Sequence, residues 1–187
     1  MTNKGACLYK PTAERLALAG VSAKRASRSP ACSVFAPPEV EGLWLRTALV
    51  RGPNYPKQEP EPICQAEDVV RLVGALRDRA VEEFVAIPLG GGLRPKGIVQ
   101  IAKGGVDKAM VDAGEVVRAA LLSGASRVIV VHNHPSGNPA HSADDRRVVS
   151  RLAMALQLVG VSLEDSIVVG SGGVHESYRE VNGEMPS

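Results

Sequence analysis

The chain has 187 residues, with 22 Lys and Arg against 20 Asp and Glu and a hydrophobic fraction of 44%. This composition is that of an ordinary globular protein and excludes disorder over the whole length. The length predicts one domain with an appended segment and is too short for a (β/α)8 barrel of roughly 250 residues. The three cysteines form no Cys-x-x-Cys pair, and no apolar run approaches the roughly 18 residues of a membrane span. We therefore expect a cytoplasmic protein that does not enter a membrane.

The first 62 residues differ from the rest of the chain in charge and proline content. Residues 1–38 carry six basic side chains and one acidic one, which leaves 16 basic and 19 acidic residues for the remainder. Eight of the 13 prolines lie at or before Pro62. These features predict a basic, then Pro-rich N-terminal extension over residues 1–62 that is partly disordered and holds a strand-like apolar segment at residues 43–50. The alternative uses of the basic residues are weak nucleic-acid contact and a transit peptide.

The ordered domain is expected over residues 63–180, followed by a C-terminal tail at residues 181–187. Within residues 67–80, four apolar residues recur at helical spacing and predict a helix: Val69, Val70, Val73 and Leu76. Residues 81–89 and 97–102 have the pattern of strands, and the glycine triplet between them predicts a hairpin. No Gly-Lys-Ser/Thr follows the triplet, so a phosphate-binding loop is not supported.

The second half of the domain predicts helices on either side of a buried strand. Asp112 can cap a helix that stops at Gly124. The apolar residues expected on its buried side are Val116, Val117, Ala120 and Leu121. Residues 128–131 are continuously β-branched, as in a strand buried on both faces. One more helix and two strands are predicted at residues 143–159, 161–169 and 174–178. This order predicts an α/β fold with a mixed β-sheet covered by helices.

A cluster of polar residues follows the buried strand. His132 and His134 are two residues apart at the strand end, so both imidazoles face the same side. Ser142 and Asp145 begin the next helix, where they also form an adequate capping box. Two imidazoles and a carboxylate are a ligand set that hydrolytic zinc accepts, with a fourth position left for water. The pattern therefore predicts a metal site, with zinc favoured over iron or manganese by ligand type.

Other metal-dependent enzyme classes share only pieces of this pattern. The literal tripeptide His-Asn-His is a coincidence with HNH nucleases, whose named residues are spread over a longer element. Amidohydrolase barrels use His-x-His after a strand but need a longer chain. Zinc deaminases need a distal Pro-Cys-x-x-Cys, and zincins need His-Glu-x-x-His on a helix. Neither motif occurs in this sequence.

The combination HNHPSG, a further proline and Ser-x-x-Asp resembles the JAMM (MPN/JAB) metal motif, and specifically its RadC-like branch. The similarity extends over residues 63–180 and includes VEEFVAIPL, VIVVHNHP and SIVVGSGGVHESY. The resemblance implies the layered JAMM/MPN architecture, which is similar to that of cytidine deaminases. It also implies a short form without the helical N-terminal module of full-length RadC proteins.

The resemblance also implies a role for each site residue. His132, His134 and Asp145 would bind one zinc ion per chain, and Ser142 would stabilise the oxyanion or hold the catalytic water. A glutamate from an earlier strand would act as general acid and base, and the family's Glu-x-Phe pattern selects Glu82. Because adjacent strand residues face opposite ways, only one of Glu82 and Glu83 can face the metal.

Three positions depart from the family pattern or leave its register open. His141 stands where proline is more common, and it is expected as a rim group or an adventitious ligand. Asp144 beside Asp145 leaves a one-residue uncertainty in the ligand assignment. Ser166 stands where a histidine is expected after Asp165, which removes any role carried over to that position.

The function implied is that of a JAMM-type zinc metallopeptidase or isopeptidase that cleaves an amide bond in a protein or peptide substrate with activated water. Two alternatives belong to other classes. One is a nucleic-acid-binding protein associated with DNA repair, suggested by the RadC name and the basic N-terminal residues. The other is a binding module of the MPN type that keeps the fold and the metal without catalysis.

Overall fold

The computed structural model describes residues 60–104 and 111–186. The described helices are α1 (Ala66–Leu72), α2 (Ala113–Ser123), α3 (Ala143–Gln157) and α4 (Tyr178–Asn182), and the strands are β1 (Glu83–Leu89), β2 (Val99–Lys103), β3 (Arg127–Asn133), β4 (Ser162–Val169) and β5 (His175–Ser177). These strands form one sheet in the order β2-β1-β3-β4-β5. β3 and β4 are parallel, and the other neighbouring pairs are antiparallel. The predicted α/β fold with a mixed sheet is confirmed.

β3 is the central strand because its apolar residues are suited to burial on both faces. Val128, Ile129, Val130 and Val131 are fully buried. A strand enclosed between two layers has no solvated face, so its sequence lacks the alternation of polar and apolar residues. The predicted strand at residues 128–131 is therefore confirmed, and the structure extends it to Asn133.

Two apolar clusters fill the space on either side of the sheet. The cluster on the α1 side contains the odd-numbered residues of β1 and β3, including Val85, Ile87, Ile129 and Val131, with Ile63, Ala66 and Val69 packed on them. The cluster on the other side contains the even-numbered residues Phe84, Ala86, Val128 and Val130, with α2 and α3 packed on them through Val116, Ala120, Val148, Val149 and Leu152. The candidate functional site lies on this second face.

The helix α2 begins and ends where its capping residues predict, and α3 begins at its predicted cap but ends at Gln157, two residues earlier than expected. Asp112 accepts a hydrogen bond from the backbone of Gly114 (2.8 Å), and Gly124 ends α2 in the left-handed conformation. Ser142 and Asp145 form a capping box at the start of α3. One expectation for the buried side of α2 is wrong, since Leu121 is 54% exposed while Ala119 is buried.

The first helix is shorter than the sequence predicts. α1 ends at Leu72, and only a short 3-10 turn over Gly74–Leu76 continues it. Val73 and Gly74 are poor helix formers, and together they end the helix earlier than the spacing of the apolar residues predicts. The predicted hairpin of β1 and β2 is confirmed, with a 3-10 turn at Gly91–Leu93 in its loop.

Some sequence predictions concern residues outside the described ranges. The strand-like segment at residues 43–50 and the basic residues 1–38 lie there, and both remain predictions. At the other end, α4 runs to Asn182. Within residues 60–104 and 111–186, no helix is both long and apolar enough to cross a membrane.

Candidate metal centre

The start of β1, the end of β3 and the start of α3 meet at one end of the strands of the sheet. Glu82 immediately precedes β1, His132 and His134 come from the end of β3 and the residue after it, and Asp145 lies in the first turn of α3. One potential ligand atom from each of these four residues lies within 4.8 Å of all the others. The structure thus places four residues singled out from the sequence in a cluster that could hold a metal ion.

The pairing of β1 with β3 explains why the two histidines and Glu82 share a face. Phe84 lies directly opposite His132 in the antiparallel register. The same register, continued by two residues, sets Glu82 opposite His134. Because side chains alternate along a strand, these two opposite pairs of residues all project to the face of the sheet that α2 and α3 cover.

The spacing of the donor atoms fits a small tetrahedral metal. Nε2 of His132 lies 3.2 Å from Nε2 of His134 and 3.2 Å from Oδ1 of Asp145, while Nε2 of His134 lies 3.5 Å from Oδ2 of Asp145. Ligands held roughly 2.0–2.1 Å from a tetrahedral zinc ion are about 3.3 Å apart. The residues present therefore fit zinc.

The orientation of each imidazole is fixed by a different contact. Nδ1 of His134 lies 2.8 Å from the carbonyl oxygen of Asn138, so Nδ1 carries the proton and Nε2 of the neutral ring offers its lone pair to the cluster. Within the described residues, Nδ1 of His132 is buried without a hydrogen-bond partner. Its ring instead stacks on Phe84 with 5.6 Å between centroids.

Asp145 is held as a carboxylate by its neighbours. Burial alone raises its pKa, but polar contacts with His132, with His134 and with the Ser142 hydroxyl outweigh burial and hold the pKa of Asp145 well below its ordinary value. Its Oδ2 atom accepts from the backbone N–H of Ser142 at 2.7 Å and from the Ser142 hydroxyl at 2.6 Å. The neighbouring Asp144 is exposed and pairs with Arg147, so the register places Asp145 in the cluster.

Burial keeps the ring of His132 in the neutral form that a metal requires. Burial lowers the pKa of His132, and hydrogen bonding to the Asp145 carboxylate only partly opposes this. A neutral imidazole beside an ionised carboxylate provides the uncharged ring that metal binding requires.

Comparison with known proteins agrees with this geometry. The profile of a family described as a RadC-like JAB domain matches residues 63–183. The chain belongs to this family. It is 40% identical over 143 residues to a UPF0758 protein of Xanthomonas euvesicatoria pv. vesicatoria, which covers 76% of this chain and 60% of that protein.

Other relatives of this RadC-like JAB domain carry the same kind of name. A UPF0758 protein of Xanthomonas oryzae pv. oryzae is 39% identical over 143 residues, covering 76% of this chain and 60% of its own length. A UPF0758 protein of Geobacter sulfurreducens is 38% identical over 98 residues, which is 52% of this chain and 43% of that protein. The chain thus spans about 60% of the length of the Xanthomonas relatives, and these names state no activity.

The two adjacent glutamates of the RadC-like JAB domain lie in different surroundings. Glu82 is half-buried in the cluster. Glu83 is buried and forms ion pairs with Lys103 (3.1 Å) and with Arg79 (3.7 Å). The alternation along β1 therefore directs Glu82, and not Glu83, toward the ligands, as period two predicts.

His141 differs from its expected role as a rim group or ligand. It is buried, and its backbone N–H and its ring Nδ1 both lie 2.8 Å from Oε1 of Glu176. Its Nε2 faces the hydroxyl of Ser166 at 3.3 Å. The ring lies outside the metal cluster because the Glu176 carboxylate holds it against β4 and β5. His141 thus ties the loop before Ser142 to the sheet.

Sequence reasoning missed three residues that shape the centre. Phe84 orients His132, Glu176 anchors His141, and Asn133 binds the backbone around Glu82. The alternation of side chains along the strands could have indicated Phe84 and Asn133, because it gives the face of the sheet on which each side chain lies. The contact with Glu176 joins residues 35 positions apart, and no local pattern predicts it.

Proposed function

We propose that this RadC-like JAB domain is a zinc-dependent metallohydrolase that cleaves an amide bond in a protein or peptide substrate, as a peptidase or isopeptidase. The observation that carries the proposal is the convergence of two imidazoles, one buried carboxylate and a further glutamate within 4.8 Å. Three of these residues are enough to hold a catalytic zinc ion, which keeps one position open.

The donor set supports zinc as the metal. Two neutral imidazole nitrogens and one carboxylate oxygen are borderline ligands, whereas magnesium and calcium take mainly oxygen. The donor spacing of 3.2 to 3.5 Å also suits a tetrahedral site. His132, His134 and Asp145 would hold the ion. When bound, zinc supplies a Lewis acid that polarises a carbonyl and lowers the pKa of water toward about 7.

Glu82 would be the residue that moves protons in this reaction. It lies at the edge of the cluster, half-buried, while its neighbour Glu83 is occupied by Lys103. The Glu82 carboxylate would accept a proton from the attacking water and deliver it to the leaving amine, a role that contributes typically 10²- to 10⁴-fold in rate. This path needs no covalent intermediate between enzyme and substrate.

The surroundings of the cluster suit a reaction that depends on charge. A pocket beside it is lined by Phe84, Ala102, Val111, Val148 and Val149 together with cluster residues. Apolar walls exclude water and strengthen the interaction between charged groups inside the site. Ser142 serves this arrangement by holding Asp145 through its hydroxyl, and its role toward an oxyanion stays a prediction.

The test of this proposal is hydrolysis by zinc-loaded protein of a peptide mixture that contains main-chain amide bonds and lysine isopeptide bonds, followed by mass spectrometry. Wild type is compared with Glu82→Gln and with the matched control Glu83→Gln. We expect new termini with wild type and with Glu83→Gln, and a loss of about 10²- to 10⁴-fold with Glu82→Gln while zinc is retained. Hydrolysis that persists in Glu82→Gln contradicts the role of Glu82. Zinc binding without any hydrolysis in wild type favours the binding module.

A further inference from the structure

Asn133 stands between the two histidines of the cluster and is itself 1% exposed. Since alternate strand residues face opposite ways, its side chain leaves β3 on the face away from His132 and His134. On that face it reaches the chain segment that leads into β1. A buried amide has to be hydrogen-bonded to be stable, so its partners define what it does.

The side-chain amide of Asn133 contacts three backbone groups of one segment. Its Oδ1 atom accepts from the backbone N–H of Glu83 at 2.8 Å. Its Nδ2 atom donates to the carbonyl oxygens of Val81 at 3.1 Å and Arg79 at 3.3 Å. Both Nδ2 hydrogens and one oxygen lone pair are thus used on residues 79–83.

These contacts bracket Glu82. The residue before it and the residue after it are both held by Asn133, and the Glu82 carbonyl oxygen accepts from the backbone N–H of Gly104 at 3.0 Å. Glu82 lies just outside β1, and the backbone pairing of β1 with β3 begins only at Phe84. Asn133 therefore replaces strand pairing at the point where the glutamate must be fixed.

We propose that Asn133 is a positioning residue that sets the distance between the Glu82 carboxylate and the metal, an inference that rests on Glu82 being the proton carrier of the proposed function. The tripeptide His132-Asn133-His134 then has two functions on two faces. Its histidines hold the metal on one face, and its amide holds the backbone of the general base from the other. Three consecutive residues would thus fix the position of the Glu82 carboxylate relative to the metal.

No other side chain of similar size makes the same contacts. Aspartate keeps the acceptor for Glu83 but loses both donors and places a negatively charged oxygen against the carbonyl oxygens of Arg79 and Val81. Leucine has a similar shape and satisfies none of the three backbone groups. A displacement of the carboxylate by about 1 Å costs on the order of 10²-fold in rate, which is the loss expected when Asn133 is replaced.

The test uses the whole 187-residue chain loaded with cobalt in place of zinc, because the visible spectrum of bound cobalt reports, without a substrate, on the ionisation of groups at the metal and beside it. The variants are Asn133→Ala, the isosteric Asn133→Asp, Glu82→Gln and the double variant Asn133→Ala/Glu82→Gln. Ser177→Ala is the matched control, since it removes a buried hydrogen bond to Asp165 (2.6 Å) on β4, remote from β1. Metal content and the pH profile of the absorption are measured for each.

We expect both Asn133 variants to keep the metal and to shift the pH profile, and Ser177→Ala to keep the wild-type profile. Because Asn133 acts through Glu82, Asn133→Ala should produce no further shift in the Glu82→Gln background. A wild-type profile in the Asn133 variants, or shifts that add in full, overturns the inference. Loss of fold or metal in both variants also overturns it, since a residue that positions Glu82 leaves the three ligands in place. A Glu82→Gln profile identical to wild type contradicts the proposed function instead.

Discussion

The two oxygens of Asp145 have different partners, and this division fixes the carboxylate in the cluster. Oδ1 faces Nε2 of His132 at 3.2 Å. Oδ2 accepts from the backbone and hydroxyl of Ser142, which in turn accepts from the backbone N–H of Asp145 at 3.1 Å. The capping box of α3 therefore also supports a candidate metal ligand. Such supporting hydrogen bonds typically contribute 10- to 100-fold to metal affinity.

Replacing Ser142 by alanine should affect stability and metal binding together. Loss of the N-cap hydroxyl costs about 1 kcal/mol of unfolding free energy. Loss of its hydrogen bond to Asp145 should weaken zinc binding about 10- to 100-fold. Urea denaturation and competition with a chelator measure the two effects.

The matched control for this variant is Asp112→Ala, which removes the N-cap of α2 at a distance from the ligands. It should lose a similar free energy of unfolding and keep the zinc affinity of wild type. Equal zinc affinity in Ser142→Ala and wild type would show that the hydroxyl supports only the helix.

The metal-free protein should lose stability as the pH falls below about 6.5. Burial lowers the pKa of His132 in the folded state below its ordinary value of 6.5. The unfolded chain therefore takes up a proton first as the pH falls, and the free energy of unfolding declines by up to about 1.4 kcal/mol per pH unit. Asp145, whose pKa is lowered, adds a loss only in more acidic solution.

Urea denaturation of the metal-free protein at about pH 7.5 and about pH 5.5 measures this dependence. In His132→Gln, the part of the decline that belongs to the buried imidazole should disappear. A decline of the same size in both proteins would assign it to other groups.

At the scale of elements, the loop that follows β3 packs closely against the turn between β4 and β5. The backbone N–H of His134 donates to the carbonyl oxygen of Val169 at 3.0 Å, at the end of β4. A Cβ atom on Gly170 would clash with the carbonyl oxygen of Gly137, and Gly137 itself has φ of 83°. The loop that carries His134 can approach the β4–β5 turn this closely only because both positions are glycine.

Gly170→Ala should therefore displace the loop that carries His134. We expect a loss of about 1–3 kcal/mol in unfolding free energy, with weaker zinc binding, because the added methyl group cannot fit against the Gly137 carbonyl. Gly91→Ala is the control, since Gly91 lies in the corresponding turn of the β1–β2 hairpin and its Cβ would meet no atom within 4 Å. Thermal denaturation and chelator competition measure both. Wild-type zinc affinity in Gly170→Ala would show that the loop does not position His134.

The elements that the sequence predicts best are those with local signals at both ends. Asp112 and Gly124 determine α2, and the capping box of Ser142 and Asp145 determines the start of α3. The prediction made α1 too long. The helical spacing of apolar residues continues past Leu72, but the α-helical backbone conformation ends there. Those later residues are buried by a 3-10 turn that places Leu76 in the core.

For the whole molecule, the sequence predicted the class of the fold but not the order of its strands. The order β2-β1-β3-β4-β5 depends on pairings between distant residues, such as Phe84 with His132. That pairing also brings Glu82 into the candidate cluster, and no local pattern around Glu82 shows this proximity. The candidate ligands at the end of β3 and in α3 were predictable because a strand end and a capping box are local features.

The measurement that tests the central claim most directly is the metal content of the purified protein by elemental mass spectrometry. Wild type is compared with His134→Ala and Asp145→Asn, since each variant removes one ligand of the cluster. The account predicts about one zinc ion per chain in wild type and its loss in both variants. A wild type that contains no zinc and binds none when it is added would contradict the proposed metal centre and the hydrolase function that depends on it.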